Sequence, residues 1–281
     1  MAGPGRTGES WGERVADAYG AGIGANPRTF PRLTSPKMTR PNLASRAPCR
    51  WRPLLLAGVA TALVSAVFYL FPGIDRSVTR LFFVPGKGFP AARIGALQDF
   101  RLFASHVSLA VPLLLAIGLG LMLAWPRKPG LVPPRLSLYM VSLFLAGPVV
   151  LVNGVLKPFW GRPRPVNVTD FGGPWPFQQP WVIGAQGLAN HSFSSGEAAA
   201  SACLLPLILF VPRPWRWQVG ALLVAFVALV GLNRIAVGAH FLSDVVISIG
   251  LMLVLAAGLH PLIVRRGGAM KEGGQGDTGE T

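Results

Sequence analysis

Four long windows without a charged side chain constrain this 281-residue sequence more than any other feature. An α-helix needs roughly 20 apolar residues to cross the hydrocarbon core of a bilayer. Only 13% of the residues are charged, against about 25% in soluble domains. The pattern argues against a water-soluble globule and predicts an integral membrane protein. The windows cover residues 53–74, 102–126, 136–156 and 245–264, with 22, 25, 21 and 20 residues.

Two further apolar stretches, 198–212 and 217–233, are short for a span unless each includes a charged residue at one end. Including Glu197 and Arg234 gives them sufficient length. The sequence therefore predicts an all-α, polytopic membrane protein with a six-helix transmembrane bundle. The six helices are expected at about 53–72, 103–125, 136–156, 194–212, 216–238 and 241–264.

The long connections, 73–102 and 157–193, lie on the same side of the membrane if six helices alternate. The first connection contains an amphipathic stretch with Ile94, Leu97 and Phe100, which we expect to lie along the membrane interface.

Basic residues are distributed unequally between the two sides of this topology. The side that holds both termini carries 17 Lys and Arg residues and the other side carries nine. By the positive-inside rule, both termini are cytoplasmic and the long connections are periplasmic. We therefore expect a multi-pass protein of the bacterial inner membrane. The net charge of +15 would suggest a nucleic-acid partner in a soluble protein, but the long apolar windows override that interpretation, so no nucleic-acid partner is expected.

Three regions are expected along the chain. Residues 1–52, with nine basic and three acidic residues and no apolar periodicity, predict a disordered cytoplasmic tail. Residues 53–264 form the membrane domain, and residues 265–281 form a second cytoplasmic tail. The two cysteines, Cys49 and Cys203, are too few for a disulfide framework or a paired zinc motif. No metal and no cofactor are expected.

Several cations are predicted to converge at the outer ends of the spans. Lys157, Arg162 and Arg164 follow the third predicted span, and Arg234 closes the fifth. Between residues 102 and 271 the acidic residues are only Asp170, Glu197 and Asp244. Converging Lys and Arg donors suit the oxygens of a phosphate group, so a phosphorylated ligand is expected there.

His240 and Asp244 are four residues apart. On one helix they would share a face, and the carboxylate could accept the Nδ1 proton and leave Nε2 free to act as a nucleophile or base. An ordinary His–Asp pair at a helix end is the alternative. Gly238 can break the preceding helix and let Arg234 turn back toward the imidazole.

The segment from His191 to Ala198 opens the fourth predicted span. Ser194 or Ser195 can cap this helix, and the free amides at its start favour an anion. Glu197 in the first turn either complements the helix dipole or serves as a proton donor.

These residues resemble the motifs of the type 2 phosphatidic acid phosphatase family, which also includes the vanadium haloperoxidases. The family shows Lys-x6-Arg-Pro, Pro-Ser-Gly-His and Ser-Arg-x5-His-x3-Asp. The chain has Lys157-x6-Arg164-Pro165, Ser194-Ser195-Gly196-Glu197 and Asn233-Arg234-x5-His240-x3-Asp244.

The resemblance implies a metal-independent membrane phosphatase that acts on a lipid phosphate. His240 would attack phosphorus and become a transient phosphohistidine, held by Asp244. The phosphoryl oxygens would be bound by Lys157, Arg164, Arg234, Ser195 and the Gly196 amide. Arg162 lies outside the fixed positions of the family and is expected to make a secondary contact only.

Two residues depart from the family pattern: Ser194 stands in place of Pro and Glu197 in place of His. A carboxylic acid in a dry site can also protonate a leaving group, and His191 is the reserve candidate. The Glu197 form of the motif is similar to that of bacterial lipid A phosphatases, particularly those that act at the 4′ position. The alternatives are an undecaprenyl diphosphate or phosphatidylglycerophosphate phosphatase, an inactive enzyme, and a lipid-phosphate binder or transporter that does not cleave its ligand.

Overall fold

The computed structural model describes residues 51–125, 132–184 and 191–264. The two predicted tails, apart from Trp51 and Arg52, lie outside these residues. Within them the regular structure is helical, and strand pairing is limited to two isolated bridges, Val84 with Gly88 and Val168 with Trp175. The α-helices are α1 (Arg52–Leu70), α2 (Gly73–Arg80), α3 (Gly95–Ala124), α4 (Pro134–Phe144), α5 (Lys157–Trp160), α6 (Gly196–Ala202), α7 (Arg216–Ala236) and α8 (Leu242–Ile263).

A π-helical stretch, Leu145–Leu156, joins α4 to α5 without a break. Pro148 lies inside it, and Asn153 Nδ2 donates a 2.7 Å hydrogen bond to the Pro148 carbonyl. Gly147 in the same stretch packs closely on α8, because a Cβ there would lie 2.4 Å from Met252 Sδ. Short 3-10 helices occur at Pro90–Arg93, Pro165–Asn167, Thr169–Phe171, Leu205–Phe210 and Arg213–Trp215.

Five helical segments in the described part of the chain are long and apolar enough to cross a membrane. The predicted six-span count is not confirmed, because the segment predicted at 194–212 is short and divided. Its α-helix ends at Ala202, and a 3-10 helix follows at Leu205–Phe210. Pro206 explains the end of α6, since a proline ring clashes with the carbonyl of the residue four positions earlier, which is Ala202.

The third helix differs from the sequence prediction at its start. The 103–125 span was expected to begin after a separate interfacial stretch, but α3 runs without interruption over 30 residues from Gly95. At 1.5 Å per residue it is about 45 Å long, more than the roughly 30 Å hydrocarbon core. Leu97 and Phe100 therefore belong to the first turns of α3, and Ile94 is its N-cap residue.

The two long connections meet at one end of the helices. Arg76 in α2 pairs with Asp170, with Nε 3.4 Å from Oδ2, and the rings of Phe83 and Phe171 lie 5.3 Å apart. This end also holds the C-terminal end of α7 and the start of α8, since Val166 N donates to the Gly238 carbonyl at 3.1 Å. The motif residues are thus gathered at one end of the bundle.

Candidate active site

His240 lies in the turn between two membrane helices, not on a helix shared with Asp244. Helix α7 ends at Ala236 and α8 begins at Leu242. The turn requires a positive φ of 71° at Gly238, where a Cβ would also lie 2.5 Å from the Phe89 ring. The amides of Ala239 and His240 both donate to the Arg234 carbonyl, at 3.0 and 3.3 Å. Arg234 and His240 are therefore held together by backbone bonds.

The expected hydrogen bond between His240 and Asp244 is replaced by one to a backbone carbonyl. His240 Nδ1 lies 2.8 Å from the carbonyl oxygen of Ser192 and 3.9 Å from Asp244 Oδ2. Because a carbonyl only accepts, Nδ1 carries the proton and Nε2 of the neutral ring has a lone pair. The predicted tautomer is present, but Ser192 orients it.

The surroundings of His240 favour its neutral form. The side chain is buried, and burial lowers its pKa well below the usual value. The positive charges of Arg234, Lys157 and Arg164 lower it further, while the bond to Ser192 opposes them. A neutral imidazole at physiological pH is what a nucleophilic role needs.

Asp244 is connected to His240 through Ser192. The Ser192 hydroxyl donates to Asp244 Oδ2, while the Ser192 carbonyl accepts from His240. The Phe241 amide also donates to Oδ2 at 2.9 Å. Ser192 belongs to the segment from His191 to Ala198, but no role was predicted for it, because its partners His240 and Asp244 lie 48 and 52 residues away in the chain.

Arg162 does not belong to the proposed phosphate site, although the sequence predicted that it would converge there with the other cations. Its side chain is fully buried, with Nη2 2.9 Å from Asp75 Oδ2 and Nη1 bonded to Asp244 Oδ1. Nη1 also donates to Ser243 Oγ at 2.8 Å and Nε to the Gln178 carbonyl at 2.9 Å. Because these acceptors take its buried N–H groups, Arg162 positions Asp244 and does not face the proposed phosphate site.

Asp75 is a buried residue of this network that the sequence analysis did not single out. It accepts from the Ser243 amide at 2.8 Å and from the Ser243 hydroxyl. The signal was its place directly after the first uncharged window, at the outer end of a span, where a carboxylate needs a partner.

Lys157 and the start of α6 lie against each other. A Cβ at Gly196 would lie 3.2 Å from Lys157 Nζ and 3.3 Å from Asn153 Oδ1, so a larger residue there would crowd the ammonium group. Ser195 caps α6 by accepting from the Ala198 amide at 3.4 Å, which leaves its own hydroxyl proton available. Arg164 Nε is buried without a hydrogen-bond partner among the described residues.

Glu197 bridges two arginines. Its Oε1 lies 2.9 Å from Arg101 Nε, and its Oε2 lies 2.8 Å from Arg234 Nε. The carboxylate is 26% exposed, so it is neither in bulk water nor sealed from it. Arg101 comes from the N-terminal extension of α3 and was missed, because the sequence predicts that it lies in the connection 73–102, outside the helix bundle.

A cavity of about 240 Å³ opens beside Glu197, between α3, the π-helical stretch, α6 and α7. Its charged lining is formed by Arg101, Lys157, Glu197 and Arg234. His240 is not among the described residues that line it. The remaining lining residues are Phe100, Ala104, Ser105, Ser108, Leu109, Phe144, Asn153, Gly196, Ala200, Val230 and Asn233.

His191 is buried at 5% exposure, and neither ring nitrogen has a hydrogen-bond partner among the described residues. It does not line this cavity. Ser194, which stands where the family has Pro, is fully buried. Within residues 51–125, 132–184 and 191–264, no three His, Cys, Asp or Glu side chains are grouped where they could hold a metal ion.

Comparison with known proteins shows which family the chain resembles. The pattern of the PAP2 superfamily matches residues 135–267. The chain is 37% identical over 215 residues to the lipid A 4′-phosphatase of Rhizobium leguminosarum, covering 69% of this chain and 89% of that protein. It is 34% identical over 210 residues to the lipid A 4′-phosphatase of Francisella tularensis subsp. novicida, covering 68% and 87%.

A solved structure shares the fold. The transmembrane PAP2-type phosphatidylglycerolphosphate phosphatase of Bacillus subtilis aligns with a TM-score of 0.50 and 19% identity, covering 76% of this chain and 98% of that one. Similarity at this identity concerns the arrangement of the helices alone.

Proposed function

Since the chain belongs to the PAP2 superfamily and is a membrane lipid phosphatase that hydrolyses phosphoric monoesters, we propose that its substrate is lipid A and that it removes the 4′-phosphate. The substrate assignment is supported by relatives that are named lipid A 4′-phosphatase at 34–37% identity. The Glu197 form of the second motif agrees with it.

One observation carries the proposed chemistry: the 2.8 Å bond between His240 Nδ1 and the Ser192 carbonyl. It leaves Nε2 as the only ring atom with a lone pair, beside the cations Lys157, Arg164 and Arg234 whose charges act on this ring. Phosphate binding alone needs cations but no oriented nucleophile. The arrangement therefore favours turnover over simple binding or transport.

In the proposed reaction, Lys157, Arg164 and Arg234 hold the phosphoryl oxygens, together with the Ser195 hydroxyl and the Gly196 amide. His240 Nε2 attacks phosphorus, so that the P–N bond forms as the bond to the sugar oxygen breaks. The phosphate group, bound as its monoanion, displaces Glu197 from Arg234, and Glu197 relays the proton of the monoanion to the sugar oxygen, so that the sugar hydroxyl leaves. Water then attacks the phosphohistidine, Glu197 takes its proton, and inorganic phosphate is released.

Glu197 is preferred to His191 as the leaving-group acid because of its position. It lines the cavity together with Lys157 and Arg234, and His240 does not. In phosphoryl transfer the attacking and leaving atoms lie roughly in line on opposite sides of phosphorus. We therefore assign Glu197 to the side of the leaving oxygen, while Arg234, one of its two partners, is a cation that also attracts the incoming phosphate.

The positions of the basic residues support a periplasmic site. Arg216 begins α7 and Arg234 closes it 18 residues later, about 27 Å along the helix. Arg52 and Arg135 likewise stand at the starts of spans, and the span from Arg135 ends at Lys157. If the shorter apolar segment Gly196–Phe210 makes a sixth crossing, the positive-inside rule supports cytoplasmic termini and a site in the outer leaflet of a bacterial inner membrane.

The test is turnover by the purified protein in detergent with lipid A, undecaprenyl diphosphate, phosphatidylglycerophosphate and phosphatidate. Mass spectrometry of lipid A is expected to show loss of one phosphate, at the 4′ position. His240→Ala is expected to lose this activity, and His106→Ala, which changes an exposed histidine of α3, to keep it. Turnover of another lipid phosphate with lipid A untouched would overturn the substrate assignment.

A further inference from the structure

We infer that the 240 Å³ cavity is the subsite for the leaving group and takes a hydroxylated ring, with Arg101 as a specificity-determining residue. This inference rests on the proposed function, because it describes how the same site recognises the alcohol side of the bond that breaks. None of the three family motifs includes Arg101.

The position of the cavity fits the geometry of the reaction. It shares Lys157, Gly196 and Arg234 with the proposed phosphate site, whereas the nucleophile His240 is not among its described lining residues. An in-line displacement requires the leaving group on the side of phosphorus away from the nucleophile. Because the cavity borders three of the proposed phosphate ligands and not the nucleophile, we assign it to that side.

An acceptor without a partner points to a ligand that donates hydrogen bonds. Asn233 is 5% exposed, its Nδ2 donates to the Leu97 carbonyl at 2.9 Å, and its Oδ1 is buried with no partner among the described residues. Asn153 also lines the cavity, and its Oδ1 lies next to the start of α6, since a Cβ at Gly196 would be 3.3 Å from it. A phosphate dianion cannot donate to the free oxygen of Asn233, but a sugar hydroxyl can.

The other walls suit the faces of a ring. Leu109, Phe144 and Val230 are apolar, while Ser105 and Ser108 on α3 add hydroxyl groups. The volume is below the roughly 300–1,000 Å³ of pockets that enclose drug-sized ligands. The cavity therefore accommodates one sugar ring, and the rest of a glycolipid stays in the membrane.

Arg101 is held in place for contact with such a ring. Its Nε is bound to Glu197 at 2.9 Å, and a guanidinium has five N–H donors. Four donors therefore remain beside the cavity that Arg101 lines. The same bond links Arg101, which contacts the ring in this proposal, to Glu197, which protonates the leaving oxygen of that ring.

The test compares two changes to the cavity with matched controls. Arg101→Gln removes the guanidinium, and Ala200→Leu fills cavity space from α6. The controls are Arg93→Gln, at an exposed arginine outside the cavity, and Ala110→Leu, on the exposed face of α3. The readouts are kcat/KM for the lipid A phosphate, the inhibition constant of vanadate, and inhibition by soluble N-acetylglucosamine.

Both cavity variants are expected to lower kcat/KM at least about tenfold and to weaken inhibition by N-acetylglucosamine by a similar factor. The inhibition constant of vanadate, which occupies the phosphate site alone, is expected to change less than about threefold, and both controls to match wild type. Unchanged sugar inhibition, or an equal loss toward vanadate, would overturn the subsite. If wild type cleaves only other lipid phosphates, the proposed substrate fails, and sugar inhibition of that turnover still tests the subsite.

Discussion

The Ser192 carbonyl accepts from His240 Nδ1 at 2.8 Å, while the Ser192 hydroxyl donates to Asp244. One residue thus holds the proposed nucleophile with its backbone and the motif carboxylate with its side chain. The motif spacing suggests a direct His–Asp pair, yet the two side chains are 3.9 Å apart at Nδ1 and Oδ2. Asp244 therefore fixes the segment that orients the imidazole.

This relationship predicts how Ser192 variants behave. Ser192→Ala keeps the carbonyl that binds His240 and removes only the hydroxyl on Asp244, so we expect a smaller loss of kcat than in His240→Ala. Removing one hydrogen bond to a charged group costs about 1.5–3 kcal/mol, most of it in stability. Thermal unfolding in detergent and kcat should be measured together. Equal inactivation by Ser192→Ala and His240→Ala would contradict the assignment of the carbonyl as the orienting group.

Glu197→Gln should lower turnover of the lipid substrate by roughly 10²–10⁴, because the amide has no acidic proton to give. If Glu197 acts as an acid, p-nitrophenyl phosphate, whose leaving group needs no proton, should be affected much less. Equal losses on both substrates would instead indicate that Glu197 only positions Arg101 and Arg234. Full activity of Glu197→Gln with an inactive His191→Ala would transfer the acid role to His191.

Arg162→Leu should destabilise the protein by about 3–5 kcal/mol, the usual cost of leaving buried charges without their partner. In this variant the carboxylates left without an ion-pair partner are Asp75 and Asp244, both fully buried. Arg76→Leu is the matched control, since it breaks the half-exposed pair with Asp170, and such pairs contribute about 0–1 kcal/mol. Denaturant unfolding of both variants provides the comparison. Equal stability of the two would contradict the buried network.

The pH profile of kcat/KM should show no loss due to His240 until well below pH 6.5, the ordinary pKa of histidine. The pKa of His240 is lowered by burial and by the neighbouring cations, so the imidazole takes up its inactivating proton only at more acidic pH. The second ionisation of the substrate, near pH 6, should be measured separately by phosphorus NMR and removed from the profile. An acid limb assigned to His240 at or above 6.5 would contradict the electrostatics.

Single cysteines should report opposite sides of the membrane in a chain whose Cys49 and Cys203 are replaced by serine. Ile183→Cys lies at an exposed position in the outer connection, and Arg213→Cys at an exposed position before α7. A maleimide that cannot cross membranes should label Ile183→Cys in intact spheroplasts and Arg213→Cys only after permeabilisation. The reverse pattern would place the site in the cytoplasm.

The motif positions were recognisable from sequence because they are spaced along helix ends. Four of these residues lie together at one end of the bundle: Lys157, Ser195, Arg234 and His240. The two long connections meet at the same end. The number of membrane-spanning helices was harder to predict from the sequence. A hydropathy window registers the apolar character of residues 194–212, but it does not register that Pro206 ends α6 at Ala202.

The sequence by itself determined the membrane setting, the family and the positions of the motif residues, because each depends on local composition or on spacing along one chain. Only the tertiary structure decided which partner each charge takes. Arg162 pairs with Asp75 of α2, which lies 87 residues earlier in the chain. Arg101 pairs with Glu197, which lies 96 residues later. These pairings depend on how the helices pack and on the need of every buried charge for a partner. The spacing of residues within a motif does not reveal which distant residues will pack together.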